Sequence, residues 1–506
     1  MKGIYHNHYI IIALLISISV FAKPQPIIDA TYNVRNYGAK CDGKTLDHVA
    51  INKAIDACVA GGGGTVLLPS GTYLCGSIHL QSNVNLMIDA GATILGAPEE
   101  MKAYDPAEPF SFKQYQDGGH TYFHNSLIWG ENLKNVSITG RGMINGGGIT
   151  GKDRDHFSDG AMPTGDKSIA LKLCRNVLIR DITIIHGGHF AILTTGCDLM
   201  TMDNLTIDTN RDGIDIDCCT NTVVSNCRVN SPGDDAICPK SSFAFNKPVI
   251  TENLLINNCE VSGYKEGTLL DGTRIPSTVG WSSGRIKFGT ESNGGYRNCV
   301  VSNCIFRNCN GLALEQVDGG IMENITVTNI TMQDMPHYPI YVCLGARNRG
   351  PAETTTMGSA RNIFISNVIA TGVNPLSGIQ ITGVPGYPLE NIQLSNIFVE
   401  FNGGGTTEQA ERIFPELDKG YPEPKHLGPT PSYGLFARHI KDLKLSNITF
   451  KTKNQDNRPA VICSDIIDLD ISDFKAVVVK DIVPFLFENV SEVIIRNSPM
   501  FVTPNP

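Results

Sequence analysis

Aromatic residues make up only 7% of the 506-residue chain, with two tryptophans, and charged residues only 18%. That composition belongs to a folded globular chain, not to a charge-rich disordered one or a coiled coil. No run of lysine or arginine interrupts the net charge of −9, which argues against nucleic acid as a partner. After residue 22 no segment approaches the apolar length of a membrane span. The 15 cysteines are odd in number, and their spacings match neither a small disulfide scaffold nor a zinc site. Hairpin turn signals are missing too, which counts against a β-propeller with its blades of about 40 residues.

What is present begins with an apolar leader. Lys2 is followed by a short polar stretch and then by YIIIALLISISVFA, with Val20-Phe21-Ala22 as a cleavage site. This pattern predicts a secretory signal peptide over residues 1–22. The apolar run is too short to span a membrane, and no lipoprotein-type cysteine follows it. The remaining chain, residues 23–506, is therefore expected to be secreted or periplasmic and free of the membrane after cleavage; a monomer is expected, though nothing in the leader bears on that.

One short pattern, roughly x-Asn-(Val/Ile/Leu)-x-(Ile/Val)-x-Asn-x-x-(Ile/Val), recurs along most of the sequence. Copies include KNVSITGRGM from Lys134, RNVLIRDITI from Arg175, TNTVVSNCRV from Thr220, ENITVTNITM from Glu323 and KDLKLSNITF from Lys441. The closest copies lie about 22 to 26 residues apart, the period of a coil whose units cannot bury their apolar faces alone. Alternating β-branched residues between Asn and Gly corners predict an all-β, single-domain parallel β-helix, with aliphatic ladders inside and asparagine ladders at the turns. Cysteines at repeat positions, among them Cys174, Cys197, Cys219, Cys227, Cys259, Cys299 and Cys304, fit as small buried side chains.

Two segments break the pattern. Residues from about 30 to 75 form an N-terminal cap. Within it Ala50, Ile51, Ala54, Ile55 and Cys58 share one face of a predicted helix that would close the open end of the coil. Residues 401–433, rich in Gly, Pro and charge, interrupt the repeats as a long excursion before rungs resume at Gly434.

Asp212 and Asp235 lie 23 residues apart, close to one rung, so Asp212 should neighbour the adjacent pair Asp234 and Asp235. Asp215 and Asp217 read as corner residues. Three acids on one patch repel one another, and glycoside hydrolysis needs such a group: one carboxyl that gives a proton and one carboxylate that acts opposite it.

These residues are where a family resemblance enters. Asn210-Arg211-Asp212-Gly213 matches the Asn-x-Asp-Gly motif, and Gly233-Asp234-Asp235 the Gly-Asp-Asp motif, of glycoside hydrolase family 28, the polygalacturonases. The opening NVRNYGAKCDGKT also resembles that family's N-terminal cap, and the likeness covers nearly the whole mature chain. It implies a right-handed parallel β-helix that cleaves α-linked galacturonic acid residues of pectin with inversion and without metal or organic cofactor. By motif, Asp234 would be the general acid, with Asp212 and Asp235 activating water; Asn210 and Arg211 come with the motif as substrate contacts.

The sequence also departs from the family. Its Gly-His-Gly motif should fall near residues 283–287, where no histidine stands. Its Arg-Ile-Lys motif follows an Asn-Gly pair, but Asn310-Gly311 is followed by Leu312-Ala313-Leu314-Glu315. The Arg285-Ile286-Lys287 spelling falls one motif too early and reads as coincidence. Replacement cations for a uronate are Arg211, Lys240, Arg285, Lys287, Arg347 and Arg349. The segment FGTESNGGYRN, Phe288 to Asn298, resembles exo-acting members, which favours chain ends or a decorated, rhamnogalacturonan-type substrate and makes Glu291 and Glu315 cleft candidates. His189, one rung before Asp212, is a further candidate contact. Two other functions stay open: a β-helix polysaccharide lyase using Ca²⁺, for which clustered acids could serve, and a non-catalytic carbohydrate-binding β-helix.

Overall fold

The computed structural model describes residues 31–147 apart from 110–112, 114 and 116, then 166–278, 283–416, 419–499 and 501–503. The expected leader at 1–22 lies outside them. The described chain is built from short strands that pair in parallel with the strands one turn of the coil away. Asp198 pairs with Arg175 on one side and Thr220 on the other, and the same register continues to Glu252 and Arg297. The coil is the expected parallel β-helix.

Hydrophobic ladders hold it together. Ile78, Ile128, Ile169, Ile192, Ile214, Ile237 and Ile286 stand in one register and are fully buried. Each branched side chain packs on its copy one rung away, which satisfies the β-preference of isoleucine and removes its surface from water. The helix α1 (His48–Ala60) buries Ala50, Ile51, Ala54, Ile55 and Cys58 against the first rungs, as its periodicity predicts. The cysteines are all free thiols, buried except for the half-buried Cys41. Cys174, Cys197 and Cys219 form one internal stack, and Cys227, Cys259 and Cys304 another.

The corners carry asparagine ladders. Asn221, Asn253, Asn298, Asn324, Asn362 and Asn391 each donate a side-chain N–H to the rung before, starting from Asp198. All six adopt a left-handed backbone, which asparagine tolerates better than any other side chain-bearing residue. The repeat therefore keeps asparagine for two reasons, the turn it must make and the ladder it must join.

The face that carries the site is formed by β1 (Ile78–His79), β2 (Ile128–Glu131), β3 (Lys167–Lys172), β4 (Phe190–Thr195), β5 (Asp212–Asp217) and β6 (Ile237–Lys240) in parallel order. An Ile237 to Ile286 bridge continues it to β7 (Lys287–Phe288), β8 (Leu312–Gln316), β9 (Ile340–Leu344) and β10 (Ile379–Thr382). Two segments outside the repeat lie on its outer surface. Residues 117–125 place Phe123 against Ala170, Phe190 and Leu193. The excursion places Phe414 and Leu427 against Tyr338, Tyr341, Phe436 and Ile462. No described helix is long and apolar enough to cross a membrane.

The ladder makes a quantitative prediction. Asn324 donates to Asn298 at 3.0 Å and accepts from Asn362 at 3.0 Å with φ at 58°. Asn324→Ala should lose roughly 1–3 kcal/mol of stability, from two hydrogen bonds and a side chain forced left-handed. Asn324→Gly, which keeps the backbone at ease, should lose less; denaturant melts of the two variants compare them directly.

Candidate active site

The two acid motifs meet because of two glycines. A Cβ on Gly213 would stand 2.4 Å from Val229 Cγ1, a core side chain, so position 213 faces inward, as does Ile214 beside it. Two consecutive inward positions break the strand's alternation, and the side chain of Asp212 turns outward to the face of Asp215 and Asp217. One rung later the Gly233 N–H donates to the Asn210 carbonyl at 2.9 Å, and a Cβ there would meet that oxygen at 2.4 Å. Asp234 and Asp235 follow in an irregular bend before β6, which lets neighbouring side chains share one side of the chain.

The three carboxyls converge: one oxygen from each of Asp212, Asp234 and Asp235 lies within 4.8 Å of the others. The Asp235 N–H lies 3.1 Å from both Asp212 Oδ1 and Asp234 Oδ1. Exposure separates their roles. The Asp234 side chain is 32% exposed, against 5% for Asp212 and 2% for Asp235. Asp234 is the member of the trio that a substrate can touch.

Asp235 is surrounded by donors. Oδ1 accepts from Ser283 Oγ and Arg285 Nε, each at 2.7 Å, and Oδ2 faces Lys287 Nζ at 3.1 Å. Burial alone would raise its pKa, but Arg285 and Lys287 override that and hold it far below the usual carboxylate range. Asp212 goes the other way. Burial and the charges of Asp215 and Asp234 push it well above its ordinary value, with Lys240 at 3.8 Å only partly offsetting them. A divalent cation could reach the trio by distance, but both oxygens of Asp235 already have cationic neighbours, so the donor set is poorly suited to one.

Arg285-Ile286-Lys287, read from the sequence as a coincidence, thus stands directly on the acid cluster. Both cations are buried and engaged with carboxylates, Lys287 also reaching Glu315 Oε2 at 3.9 Å. Glu315 is fully buried without a hydrogen bond; burial pushes its pKa up to about 8 against the pull of Lys287. Lys240 Nζ sits among Asp215 at 3.2 Å, Glu291 at 3.6 Å and Asp212. Burial would discharge it, but these acids keep its pKa well above the normal lysine value. Glu291 in turn faces Arg347 at 4.0 Å and Arg349 at 3.9 Å, and Arg347 pairs with Asp318.

Of the remaining sequence candidates, Arg211 lies 3.4 Å from Asp234, and Asn210 is exposed at the rim. His189 Nε2 contacts Asp117 at 2.9 Å, on the segment that covers the preceding rungs. Asp215 and Asp217 are not corner residues. They lie within β5, fully buried, because residues 117–125 cover them and bring His120 within 3.8 Å and 3.3 Å of them. Asp217 also accepts from Ser242.

Sequence reasoning missed Ser283, His120, Tyr421 and Glu423. Glu423 bonds the far edge of Arg285 from 138 residues away, on the excursion, where no repeat spacing could locate it. Tyr421 hangs over Lys287 and Arg347, with ring centroid distances of 5.6 and 5.7 Å, and stays 40% exposed.

The chain is similar in sequence and in fold to known β-helix proteins. Residues 31–237 match the family described as rhamnogalacturonase A/epimerase, pectate lyase-like. A Vitis vinifera protein bearing the name "Probable polygalacturonase" is 25% identical over 72% of this chain and 73% of its own length. The exo-poly-alpha-D-galacturonosidase of Dickeya chrysanthemi is 25% identical over 69% of this chain and 64% of its own. The fold of the Yersinia enterocolitica family 28 exopolygalacturonase superposes with a TM-score of 0.60, at 18% identity, over 93% of this chain and 79% of that one. The chain is thus similar in sequence to polygalacturonases, and its fold is a parallel β-helix like that of the family 28 exopolygalacturonase.

Proposed function

We propose that this chain hydrolyses α-galacturonosyl linkages of pectin, working from chain ends. The observation that carries the reading is the trio itself: a partly exposed Asp234, a proton-retaining Asp212 and an Asp235 held ionised by two buried cations. Hydrolysis needs one carboxyl that yields a proton and one that takes one, and the trio offers both within a single rung step.

In the proposed reaction Asp234 delivers a proton to the leaving glycosidic oxygen as the bond to the anomeric carbon breaks. A water between the trio and the sugar attacks that carbon and gives its proton to Asp235. Asp212, its pKa held above the ordinary value beside Asp234, resupplies Asp234 with a proton after each transfer, and the proton gained by Asp235 passes back to Asp212 to reset the site. Lys240 and Lys287 are both kept protonated by neighbouring carboxylates, so neither is a ready base for elimination, which speaks against the lyase alternative.

Chain-end action is supported by the cover on either side. Residues 117–125 fill the outer face over the rungs before Asp212, and the excursion fills it over the rungs after Lys287. A continuous polymer would need an open groove along that face. The name of the Dickeya chrysanthemi relative points the same way. Secretion of the mature chain, as its leader suggests, would place it with such a polymer.

Inversion is carried over from the family resemblance. The trio is closer than the roughly 6.5–9.5 Å usual between acid and base in inverting enzymes, so product stereochemistry is the informative measurement. Proton NMR at early times should show the β-anomer as first product; an α-anomer would exclude single displacement. On polygalacturonate, reducing ends should appear without an early fall in viscosity and without a rise in ultraviolet absorbance. A digest panel of homogalacturonan, rhamnogalacturonan and defined oligogalacturonides identifies the preferred chain.

Asp234→Asn and Asp235→Asn should each lower kcat by about 10²–10⁴-fold. Parental turnover in both would remove the hydrolase reading and leave the carbohydrate-binding one. Asp212→Asn should lose activity yet gain stability. An unfolded Asp212 ionises in the ordinary carboxylate range, whereas the folded one keeps its proton to higher pH. Folding therefore takes up a proton within that window and is disfavoured as pH rises through it. The Asn variant, having no such proton, should lose Tm less steeply than the parent across that window, where Glu315 still titrates in both; thermal melts from pH 4 to pH 8 test the sign of the difference.

A further inference from the structure

The guanidinium of Arg285 is buried and held along two edges. Its Nε donates to Asp235 at 2.7 Å, while NH1 and NH2 donate to the carboxylate of Glu423, NH1 also reaching the Tyr338 hydroxyl. Glu423 is itself 5% exposed and sits where a turn of the excursion dips onto the site. Two residues earlier Tyr421 closes over Lys287, its hydroxyl 3.4 Å from Nζ and 2.9 Å from Thr290 Oγ1. The same turn therefore seats both cations that flank Asp235.

We propose that Glu423 is a positioning residue for the water-activating step, clamping Arg285 so that it presents only its Nε edge to Asp235. The proposal rests on the reading that Asp235 takes the proton from water.

The reason lies in fork geometry. A guanidinium offers two paired N–H edges, and a carboxylate prefers to accept from both donors of one edge. Left alone in a buried site, Arg285 would turn its paired terminal nitrogens onto Asp235 and draw both of its oxygens into a bidentate bond. Glu423 occupies those terminal nitrogens. Asp235 then receives one hydrogen bond from Arg285, one from Ser283 and an ion pair from Lys287. In this arrangement the carboxylate is charged and fixed, with its orientation set from outside the repeat. Tyr338 accepts from the same guanidinium, which limits its rotation further.

Kinetics on a defined oligogalacturonide test this, with the full-length mature protein and variants E423A, E423Q, E423D, R285A and E423A/R285A, and a Tm for each. E423A should lower kcat about 10–100-fold with KM within roughly 3-fold of the parent, as expected when a reacting group is misplaced by a fraction of an ångström. E423Q still accepts an Arg285 N–H at the original reach and should stay within about 5-fold of parental kcat, ahead of E423D, whose carboxylate is one methylene short. In the R285A background, E423A should cost less than about 3-fold more, because its partner is gone.

A parental kcat in E423A, a loss confined to KM, independent multiplying losses in the double variant, or E423D outperforming E423Q would each overturn the proposal. If E423A does not fold, the ranking of E423Q against E423D decides. D235N separates this proposal from the reading beneath it. Activity retained by D235N removes the function assigned to Asp235, whereas an inactive D235N beside a fully active E423A removes only the role of Glu423.

Discussion

Hydrogen bonding between successive rungs holds neighbouring turns of the coil about 4.8 Å apart. That distance is too short for water to come between stacked side chains and short enough for charges to interact strongly. Apolar residues repeated in register become continuous ladders, as the isoleucines from Ile78 to Ile286 do. Polar residues repeated at corners become hydrogen-bonded columns. Acids in register become a cluster whose members cannot all ionise freely. The fold, its stability and its chemistry are three outcomes of one spacing.

A stack of acids on a buried face is stable only if cations accompany it. Three buried ones stand on Asp212 and Asp235. Lys240 stands among Asp212, Asp215 and Glu291, while Arg285 and Lys287 stand on Asp235. Their distribution is uneven, and the carboxyls respond to it unequally. Asp235 has two cations and a hydroxyl, so it stays charged; Asp212 has one shared lysine and several acidic neighbours, so it holds its proton. Neighbouring carboxyls of identical chemistry are thereby driven toward opposite protonation states, the asymmetry on which the proposed acid–base hydrolysis rests.

The repeats made most of this legible in advance. The apolar period predicted the coil, the Asn corners predicted the ladders, the face of α1 was readable from Ala50 to Cys58, and the 23-residue interval brought Asp212 to Asp235. What the sequence concealed lay outside the period or depended on it only indirectly. Asp215 and Asp217 looked like corner residues because Asp beside Gly is common there; they are buried strand residues because a separate segment covers them. Arg285 and Lys287 fell one motif too early for the family pattern, yet a rung's position on the face matters more than its motif order. Ile286 continues the isoleucine ladder, so its two neighbours point to the other side, onto the acids. Glu423 and Tyr421 could not be found by spacing, since an excursion's landing place is fixed by its own packing.

That packing has a consequence for how the face is used. A β-helix offers the same strand surface along its whole length, and nothing in the repeat marks where a substrate should begin or end. The marks come from segments that leave the repeat. Residues 117–125 anchor through Phe123 on Ala170 and Leu193, and they bury His120 against Asp215 and Asp217. The excursion anchors through Phe414 and Leu427 on Phe436 and Ile462, and it brings Glu423 to Arg285. Each therefore does two things at once: it shortens the accessible face by apolar packing and supplies a charged group that completes the buried network beneath. Trimming either to lengthen the groove would also strip a partner from a buried ion. The extent of the cleft and the ionisation of its carboxylates are consequently coupled, and a change in one carries a change in the other.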